Sequence, residues 1–253
     1  MAMAVRDTLD VSGSLYTEGP LSVRAGEFLL AGRTTGVQGI AITGNLETTA
    51  GSALLSAGDI RLQGDQFLLS GLLSSDRTLT ITGKQLTTGD SAQSQAKDGM
   101  VLTATDGAQL AGVFTTLGDL GFSGAKVENR ADISGNLIGV ERLVLQQDLN
   151  NATSGKLLSG GELKANAATV SNAGVWQGEQ IILAVRQLGN TGTLQANKRL
   201  QLDLTGDLHS GVGSQIVTNG EAAISALALV NRGNWQAANL SLKGILETVI
   251  KIV

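Results

Sequence analysis

Cysteine is absent from this chain, and proline and histidine occur once each among its 253 residues. Without cysteine the chain can form neither a disulfide nor a thiolate metal site. A metal or catalytic site built on histidine would depend on His209 alone, which lies in a Gly-Asp-Leu-His-Ser-Gly turn pattern. A single histidine outside any motif seldom carries chemistry. We therefore expect no catalytic residue, no metal ligand and no cofactor.

Long apolar runs and basic clusters are also missing. No run approaches the ~18 apolar residues of a membrane-spanning helix, so we expect no membrane span. Residues 1–6 contain no apolar core, which argues against a signal peptide in this stretch. The formal net charge is −4 and the charges are scattered. Because nucleic-acid-binding proteins present a basic footprint, we expect no nucleic-acid partner.

Glycine is abundant, with 34 residues, and hydrophobic residues make up 42% of the chain. One pattern recurs three times, Asn-x-Gly-x-Φ-Gln with Φ apolar, at residues 172–177, 190–195 and 231–236. A motif that returns with a short period is typical of repeat proteins. Asparagine and glycine tolerate the positive φ angles of sharp corners, so the pattern predicts turns. The predicted structural turn positions are Asn172, Gly174, Asn190, Gly192, Asn231 and Gly233.

Short runs of alternating polar and apolar residues surround these turns, as in residues 77–83 and 200–204. Period-two alternation indicates strands with one buried face, and each repeat is too short to bury that face alone. The sequence therefore predicts an all-β solenoid, a parallel β-helix of about eleven rungs of roughly 20 residues each. We assign residues 1–19 to a partial first rung, 20–238 to the repeats, and 239–253 to a last partial rung and C-terminal cap.

Several stretches depart from this pattern. Residues 83–99 are long and polar, and we interpret them as an enlarged turn that leaves the solenoid. Residues 140–149 and 221–230 have helical propensity, but both fall where the repeat requires strands, and context outranks propensity. The tail at 244–253 fits either a helix or a strand, and both remain open.

The repeats resemble the haemagglutinin repeats of filamentous haemagglutinins and of contact-dependent growth inhibition exoproteins, which Gram-negative bacteria export by two-partner secretion. The units Gly-Asp-Leu-His-Ser-Gly, Leu-x-Asn-x-Gly and Gly-x-Leu-x-Ala carry the resemblance, which runs from about Thr8 to Lys243 and is best from Glu141. It implies a right-handed parallel β-helix in a secreted virulence protein on the bacterial cell surface. It also implies an outer-membrane transporter as partner during export, and a role in adhesion or in presenting a toxin or receptor-binding domain.

Two tryptophans, Trp176 and Trp235, occupy the Φ position of the repeated motif, where the middle copy has Leu194. One interpretation is a candidate aromatic contact surface for a glycan or a cell-surface receptor. The other is a widened core slot, which the apolar character of this position favours.

Three functional hypotheses remain. The first is a rigid rod segment of a secreted exoprotein, which is not an enzyme. The second is a receptor-binding module that uses protruding loops at residues 83–99 or 123–139. The third is a β-helical polysaccharide-active enzyme, which would need clustered carboxylates and aromatic platforms for sugar. Acidic pairs such as Asp59 with Asp65, or Asp90 with Asp98, are scattered and only 3% of residues are aromatic, so this hypothesis is the weakest.

Overall fold

The structure is a computed structural model that describes residues 1–134, 142–145 and 148–247, with side chains for 1–133 and 148–245. The described residues contain strands and no helix, and every strand pairing with a determined register is parallel. The chain forms a parallel β-solenoid of about 12 turns with ~19–20 residues per turn. The predicted all-β fold and repeat length are therefore confirmed. Two compact units, Met1–Ala125 and Lys126–Val253, are described separately below as unit 1 and unit 2.

Unit 1 contains fifteen described strands. They are β1 (Ala2–Ala4), β2 (Thr8–Val11), β3 (Ser14–Thr17), β4 (Leu21–Leu30), β5 (Arg33–Gly36), β6 (Ile40–Thr48), β7 (Ala53–Ser56), β8 (Ile60–Gln63), β9 (Gln66–Leu69), β10 (Leu72–Ser75), β11 (Thr78–Thr88), β12 (Gln93–Ala96), β13 (Gly99–Leu110), β14 (Val113–Thr116) and β15 (Asp119–Gly124).

Unit 2 contains thirteen described strands. They are β16 (Lys126–Asn129), β17 (Asp132–Ser134), β18 (Arg142–Leu145), β19 (Asp148–Asn151), β20 (Lys156–Leu158), β21 (Glu162–Asn172), β22 (Val175–Asn190), β23 (Thr193–Leu204), β24 (Leu208–Ser210), β25 (Gln215–Thr218), β26 (Glu221–Asn231), β27 (Asn234–Gln236) and β28 (Asn239–Glu247).

Each coil has three straight segments, which we name a, b and c. In unit 1, β6 supplies segments a (residues 40–43) and b (45–48) of one coil, and β7 supplies segment c. Each segment pairs with the same segment of the next coil, so Ile40 lies opposite Ile60 and Leu46 opposite Phe67. This register places equivalent residues of successive coils side by side along each sheet.

Alternating side chains point into each stack and form its core. Along β4 and β6 the buried positions alternate with outward ones on both sides of a register shift, and they hold Leu, Val, Ile and Phe with one Ala and one Thr. In unit 2, Ile181, Leu183 and Val185 are buried on β22, while Ile182 and Ala184 between them face outward. Like residues stack on like because the register repeats, as where Leu163, Ile181 and Leu200 follow one another. The core therefore runs through successive coils instead of lying within any single one.

The enlarged turn expected at residues 83–99 is wrong. Residues 83–88 continue β11, residues 93–96 form β12, and both pair in register with neighbouring coils. Thr88, Ser94 and Ala96 are buried, so the polar composition reflects outward positions and small polar core residues, not a protrusion. Of the other proposed loop, residues 126–129 and 132–134 are strands. Residues 135–139 lie outside the described residues.

The structure also tests the predictions made for residues 140–149, for residues 221–230 and for the two ends of the chain. The strand expected at 221–230 is confirmed by β26, and residues 142–145 and 148–149 of the segment 140–149 are also strand. In the C-terminal tail, residues 244–247 extend β28, so a helix starting at residue 244 is wrong, and residues 248–253 lie outside the described part. Residues 2–4, 8–11 and 14–17 already form strands that pair with β4 and β5. No helix in the described part of the chain is long and apolar enough to cross a membrane.

The alternation on β22 yields a stability prediction. Replacing the buried Leu183 with Ala should lower the free energy of unfolding by about 2–5 kcal/mol, because the core of a narrow coil cannot collapse to fill the void. Ile182→Ala on the same strand faces outward and should cost clearly less. Chemical denaturation of both variants measures the difference. Equal losses would contradict the inward and outward assignment of this strand.

Candidate functional site

A row of hydrogen-bonded asparagine side chains lies inside unit 2. Asn172 ends β21 and Asn190 ends β22, and the parallel register sets them directly opposite each other. Asn172 Nδ2 donates to Asn190 Oδ1 at 2.8 Å. Asn151 Nδ2 donates to Asn172 Oδ1 at 2.8 Å, and Asn129 Nδ2 donates to Asn151 Oδ1 at 2.9 Å. Four successive coils are therefore joined by one file of buried amide hydrogen bonds, which we name the asparagine ladder.

The ladder amides also hold the backbone at the corner between segments b and c. Asn172 Nδ2 reaches Thr193 O at 3.2 Å, and Asn190 Nδ2 reaches Gln215 O at 3.2 Å, each in the following coil. All four asparagines are buried, with Asn129, Asn151 and Asn190 at 0% exposure. Buried polar groups are destabilising unless bonded, and here the amides bond one another and nearby carbonyls. The arrangement satisfies backbone groups and leaves no amide free for a ligand.

Sequence reasoning from the Asn-x-Gly motif found Asn172 and Asn190 but missed Asn129 and Asn151. Neither missed residue is followed by glycine two positions later. The shared signal is the preceding strand pattern, an apolar residue two positions before the asparagine, as in Val127-Glu-Asn129 and Leu149-Asn-Asn151. An apolar residue followed two positions later by asparagine, both facing inward on one strand, therefore identifies a ladder residue better than the Asn-x-Gly turn does.

The motif glycines have a different role from the one expected. Gly174 and Gly192 do not adopt positive φ; residues that do include Gly44 and Gly99. A Cβ built on Gly174 would instead overlap the carbonyl oxygen of Gly155, and one on Gly192 would overlap that of Gly174. The expectation of left-handed corners at Gly174, Gly192 and Gly233 is therefore wrong, because close approach of consecutive coils, and not a φ angle, requires glycine there.

The candidate aromatic contact surface is wrong, because both indole rings lie in the core. Trp176 is 0% exposed and Trp235 is 1% exposed. By register Trp176 lies opposite Leu157 and Leu194, and Trp235 lies opposite Ile216, all of them buried core residues. Segment c points this position inward in every described coil of unit 2, so neither ring can meet a glycan or a receptor.

Unit 1 has no asparagine at the ladder position among its described residues. That position alternates between leucine and threonine in successive coils, with Leu30, Thr48, Leu69 and Thr88 in register. Thr48 Oγ1 accepts from the backbone nitrogens of Ser70 at 2.9 Å and Gly71 at 3.1 Å. Threonine thus caps the next corner in alternate coils, while leucine fills the core between them.

Exposed acidic residues concentrate on one side of unit 1, on segments b and the turns beside them. They are Asp7, Asp10, Glu27, Glu47, Asp65, Asp90 and Asp106. The basic residues on this side are Arg6 and Lys84, and Lys84 Nζ already pairs with Asp65 Oδ2 at 2.9 Å. The rest of unit 1 holds five acidic and five basic residues, so its net negative charge lies on this side. Such a surface repels nucleic acid.

Of the four acidic residues considered for catalysis, Asp59, Asp65 and Asp98 have basic or hydroxyl partners. Asp59 Oδ1 accepts from Thr78 Oγ1 at 2.9 Å, and Asp59 Oδ2 pairs with Arg61 Nη2 at 2.6 Å. The Thr78 hydroxyl, above all, holds the pKa of Asp59 below its ordinary value of 3.8. His209 is exposed on β24, facing away from the core. Among the described residues no group of three or more His, Asp or Glu side chains could hold a metal ion.

Comparison with known proteins gives partial matches to CdiA proteins. The chain is 39% identical over 124 residues to the tRNA nuclease CdiA of Escherichia coli strain NC101, covering 46% of this chain. It is 38% identical over 118 residues to the 16S rRNA endonuclease CdiA of Enterobacter cloacae, covering 43% of this chain. The chain spans about 4% of the length of these relatives. No family model matches, and no solved structure matches.

These matches confirm the resemblance drawn from the repeats. The relatives are contact-dependent growth inhibition proteins, and this chain is homologous to a small part of them. The nuclease activities in their names belong to those proteins as wholes.

The ladder predicts a large effect of one substitution. Asn172→Ala should lower the free energy of unfolding by about 2–3 kcal/mol, because Asn190 Oδ1 loses its donor and Asn151 Nδ2 its acceptor inside the core. Asn166→Ala removes an exposed asparagine from the same strand and should change stability by less than about 0.5 kcal/mol. Denaturant unfolding compares the two. If Asn172→Ala were as mild as its control, the ladder would not stabilise the stack.

The Asp59–Thr78 bond predicts a pH-dependent effect. Because the folded state lowers the pKa of Asp59, the bond's contribution is present above the ordinary pKa and is lost as pH falls through the folded value. Thr78→Val should therefore lower the free energy of unfolding by less than about 1 kcal/mol near neutral pH, since the site is partly exposed. The deficit should shrink between about pH 6 and about pH 3.

Thr80→Val, at an equally half-buried position two residues further along the same strand, is the matched control. Denaturant unfolding at several pH values measures both variants. A deficit for Thr78→Val that grew as the pH fell would contradict the assigned direction of the Asp59 pKa.

Proposed function

We propose that this chain is a stacked-coil segment of a secreted contact-dependent growth inhibition exoprotein, in which it serves as a stiff spacer. Its homology to a small part of CdiA proteins supports this, together with a fold whose core runs from coil to coil. The spacer holds a distal receptor-binding or toxin region away from the producing cell and presents it to a neighbour. The parent protein reaches the bacterial surface through an outer-membrane transporter.

The observation that carries the spacer role is the direction of the polar bonds in unit 2. Backbone hydrogen bonds join each segment to the next coil, and the asparagine ladder adds side-chain bonds along the same direction. Bonds that repeat along the stacking direction resist both bending and separation of coils. The ladder asparagines bond one another inside the stack, and Asp132 and Glu179 pair with lysines at the surface of the same unit.

The receptor-binding alternative loses its structural support in the described residues. Of its two candidate loops, the one at residues 83–99 is mostly strand, and the one at 123–139 is strand at 126–129 and 132–134, while residues 135–139 lie outside the described part. The aromatic pair it could have used is buried. Among the described residues, a cell-surface receptor or glycan would meet strands joined by short turns. We therefore propose that receptor contact, where the parent protein makes it, belongs to regions outside this chain.

Enzymatic activity is not proposed for this chain. The relatives named as nucleases are far longer than the stretch that matches. Nuclease chemistry needs groups that activate water and stabilise phosphate charge, commonly a metal held by carboxylates. Among the described residues, Asp59 and Asp65 are paired with arginine, threonine and lysine, and no three acidic or histidine side chains are grouped so that they could hold a metal ion.

A spacer should tolerate loss of a whole coil but not of part of one. Deleting residues 163–180 from the parent exoprotein removes one coil and brings Asn151 into register with Asn190, so the ladder stays continuous. We expect surface display and inhibition of target cells to persist. Deleting residues 163–171 removes part of a coil, shifts the register of all later coils, and should abolish both.

The receptor-binding alternative is tested with the isolated chain. Fluorescently labelled chain, shown by circular dichroism to be folded, should not bind target bacteria saturably. Saturable binding that unlabelled chain displaces would favour a receptor-binding module. Equal loss of inhibition in both deletions, with surface display intact, would also contradict a spacer.

A further inference from the structure

The asparagine ladder of unit 2 stops at one residue. The register that sets Asn172 opposite Asn190 continues to Ser210 on β24 and then to Asn231 on β26. Serine is too short to accept the Asn190 amide in the way that the earlier asparagines do. Asn190 Nδ2 is left with its bond to Gln215 O at 3.2 Å, and the file of amide-to-amide bonds ends there.

A short chain of hydrogen bonds replaces the missing amide. Trp235 Nε1 lies 3.0 Å from Ser210 Oγ, Ser210 Oγ lies 2.7 Å from Ser214 Oγ, and Ser214 Oγ lies 2.7 Å from Gly211 O. An indole nitrogen can only donate and a carbonyl can only accept. The direction is therefore fixed, from Trp235 through Ser210 and Ser214 to Gly211. Only the first of these three bonds links two coils; the others lie within one.

Beyond the break the ladder does not resume among the described residues. Asn231 is 1% exposed, and its Oδ1 accepts from the Gly233 backbone nitrogen at 2.8 Å. Its Nδ2 is buried and bonds to no group. The same position that joins four coils earlier in unit 2 thus contributes an unsatisfied donor here, which is a buried polar group with a net cost.

We propose that unit 2 opens in order, with the coils that follow Asn190 separating from the stack before the coils joined by the asparagine ladder. Ser210 is the residue that sets this boundary. Stepwise opening is expected of stacked repeats whenever one interface is weaker than its neighbours, because stability is a sum over repeats and interfaces. This inference concerns the opening of unit 2 and stands whether or not the spacer function is correct.

The chain itself shows how the break can be repaired. Trp235 is the Φ residue of the coil that follows Ser210, and Trp176 is the Φ residue of the coil that follows Asn151. The pair Ser210 and Trp235 therefore corresponds to the pair Asn151 and Trp176 earlier in unit 2. That earlier pair accommodates asparagine beside tryptophan, with Trp176 Nε1 unbonded. Ser210→Asn therefore recreates an arrangement that the fold already contains. It offers an acceptor to Asn190 and a donor to Asn231 Oδ1.

Hydrogen exchange read by mass spectrometry on the whole chain tests the order of opening. In the unmodified protein, amides of β25 and β26 should exchange at least about tenfold faster than those of β21 and the second half of β22. Ser210→Asn should slow exchange in β26 by a similar factor. His209→Asn is the control, because it adds the same side chain on the outward face one residue away.

Two results would overturn the proposal. One is equal protection of β21 and β26 in the unmodified protein. The other is faster exchange in β26 that Ser210→Asn leaves unchanged, which would identify simple fraying of terminal coils.

If Ser210→Asn fails to fold, Asn172→Ser tests the proposed order of opening instead. It should create a second break and speed exchange in β21 and β22 about tenfold, whereas Asn166→Ser on the exposed face should not. Unchanged exchange in Asn172→Ser would also overturn the proposal.

Discussion

Every feature of this protein depends on stacking in register, because a coil of ~19–20 residues cannot enclose a core of its own. An apolar side chain such as Ile181 is buried only while Leu163 and Leu200 cover it from the adjacent coils. A slip of one residue would expose all the inward side chains of a segment at once. The register is therefore held by the same residues that form the core, and stability accumulates from coil to coil.

Polar groups inside such a stack must find partners along the stacking direction, and the two units meet this demand differently. Unit 2 uses asparagine, whose amide both donates and accepts and can therefore join one coil to the next. Unit 1 alternates leucine with threonine, whose hydroxyl binds the backbone of the following corner. In unit 2, glycine at Gly174 and Gly192 lets the corners of consecutive coils approach closely. The result is a chain whose polar chemistry is directed at its own structure.

Period-two alternation and the repeated motif were enough to predict the solenoid, its repeat length and most strands. Polar composition misled at residues 83–99, because the narrow core accepts Thr88, whose hydroxyl bonds the backbone of Ala111, and the small side chain of Ser94. The asparagine ladder was only half visible, since Asn129 and Asn151 lack the following glycine and share with Asn172 and Asn190 only the apolar residue two positions before. The contact role considered for Trp176 and Trp235 failed because inward or outward direction depends on which segment a residue occupies. Ser210 has no sequence signal that distinguishes a break from an ordinary substitution.

The central claim is the in-register parallel stacking of successive coils, and the absence of cysteine allows a direct test. Lys164 and Ile182 are outward-facing and directly opposite each other on β21 and β22. Strand neighbours about 4.8 Å apart lie within the range that a disulfide spans. Cysteines at 164 and 182 should crosslink under mild oxidation, while cysteines at 164 and 184, displaced by two residues to about 7–8 Å, should not. Preferential crosslinking of the displaced pair, measured by mass spectrometry of the peptides, would contradict the register on which the whole account rests.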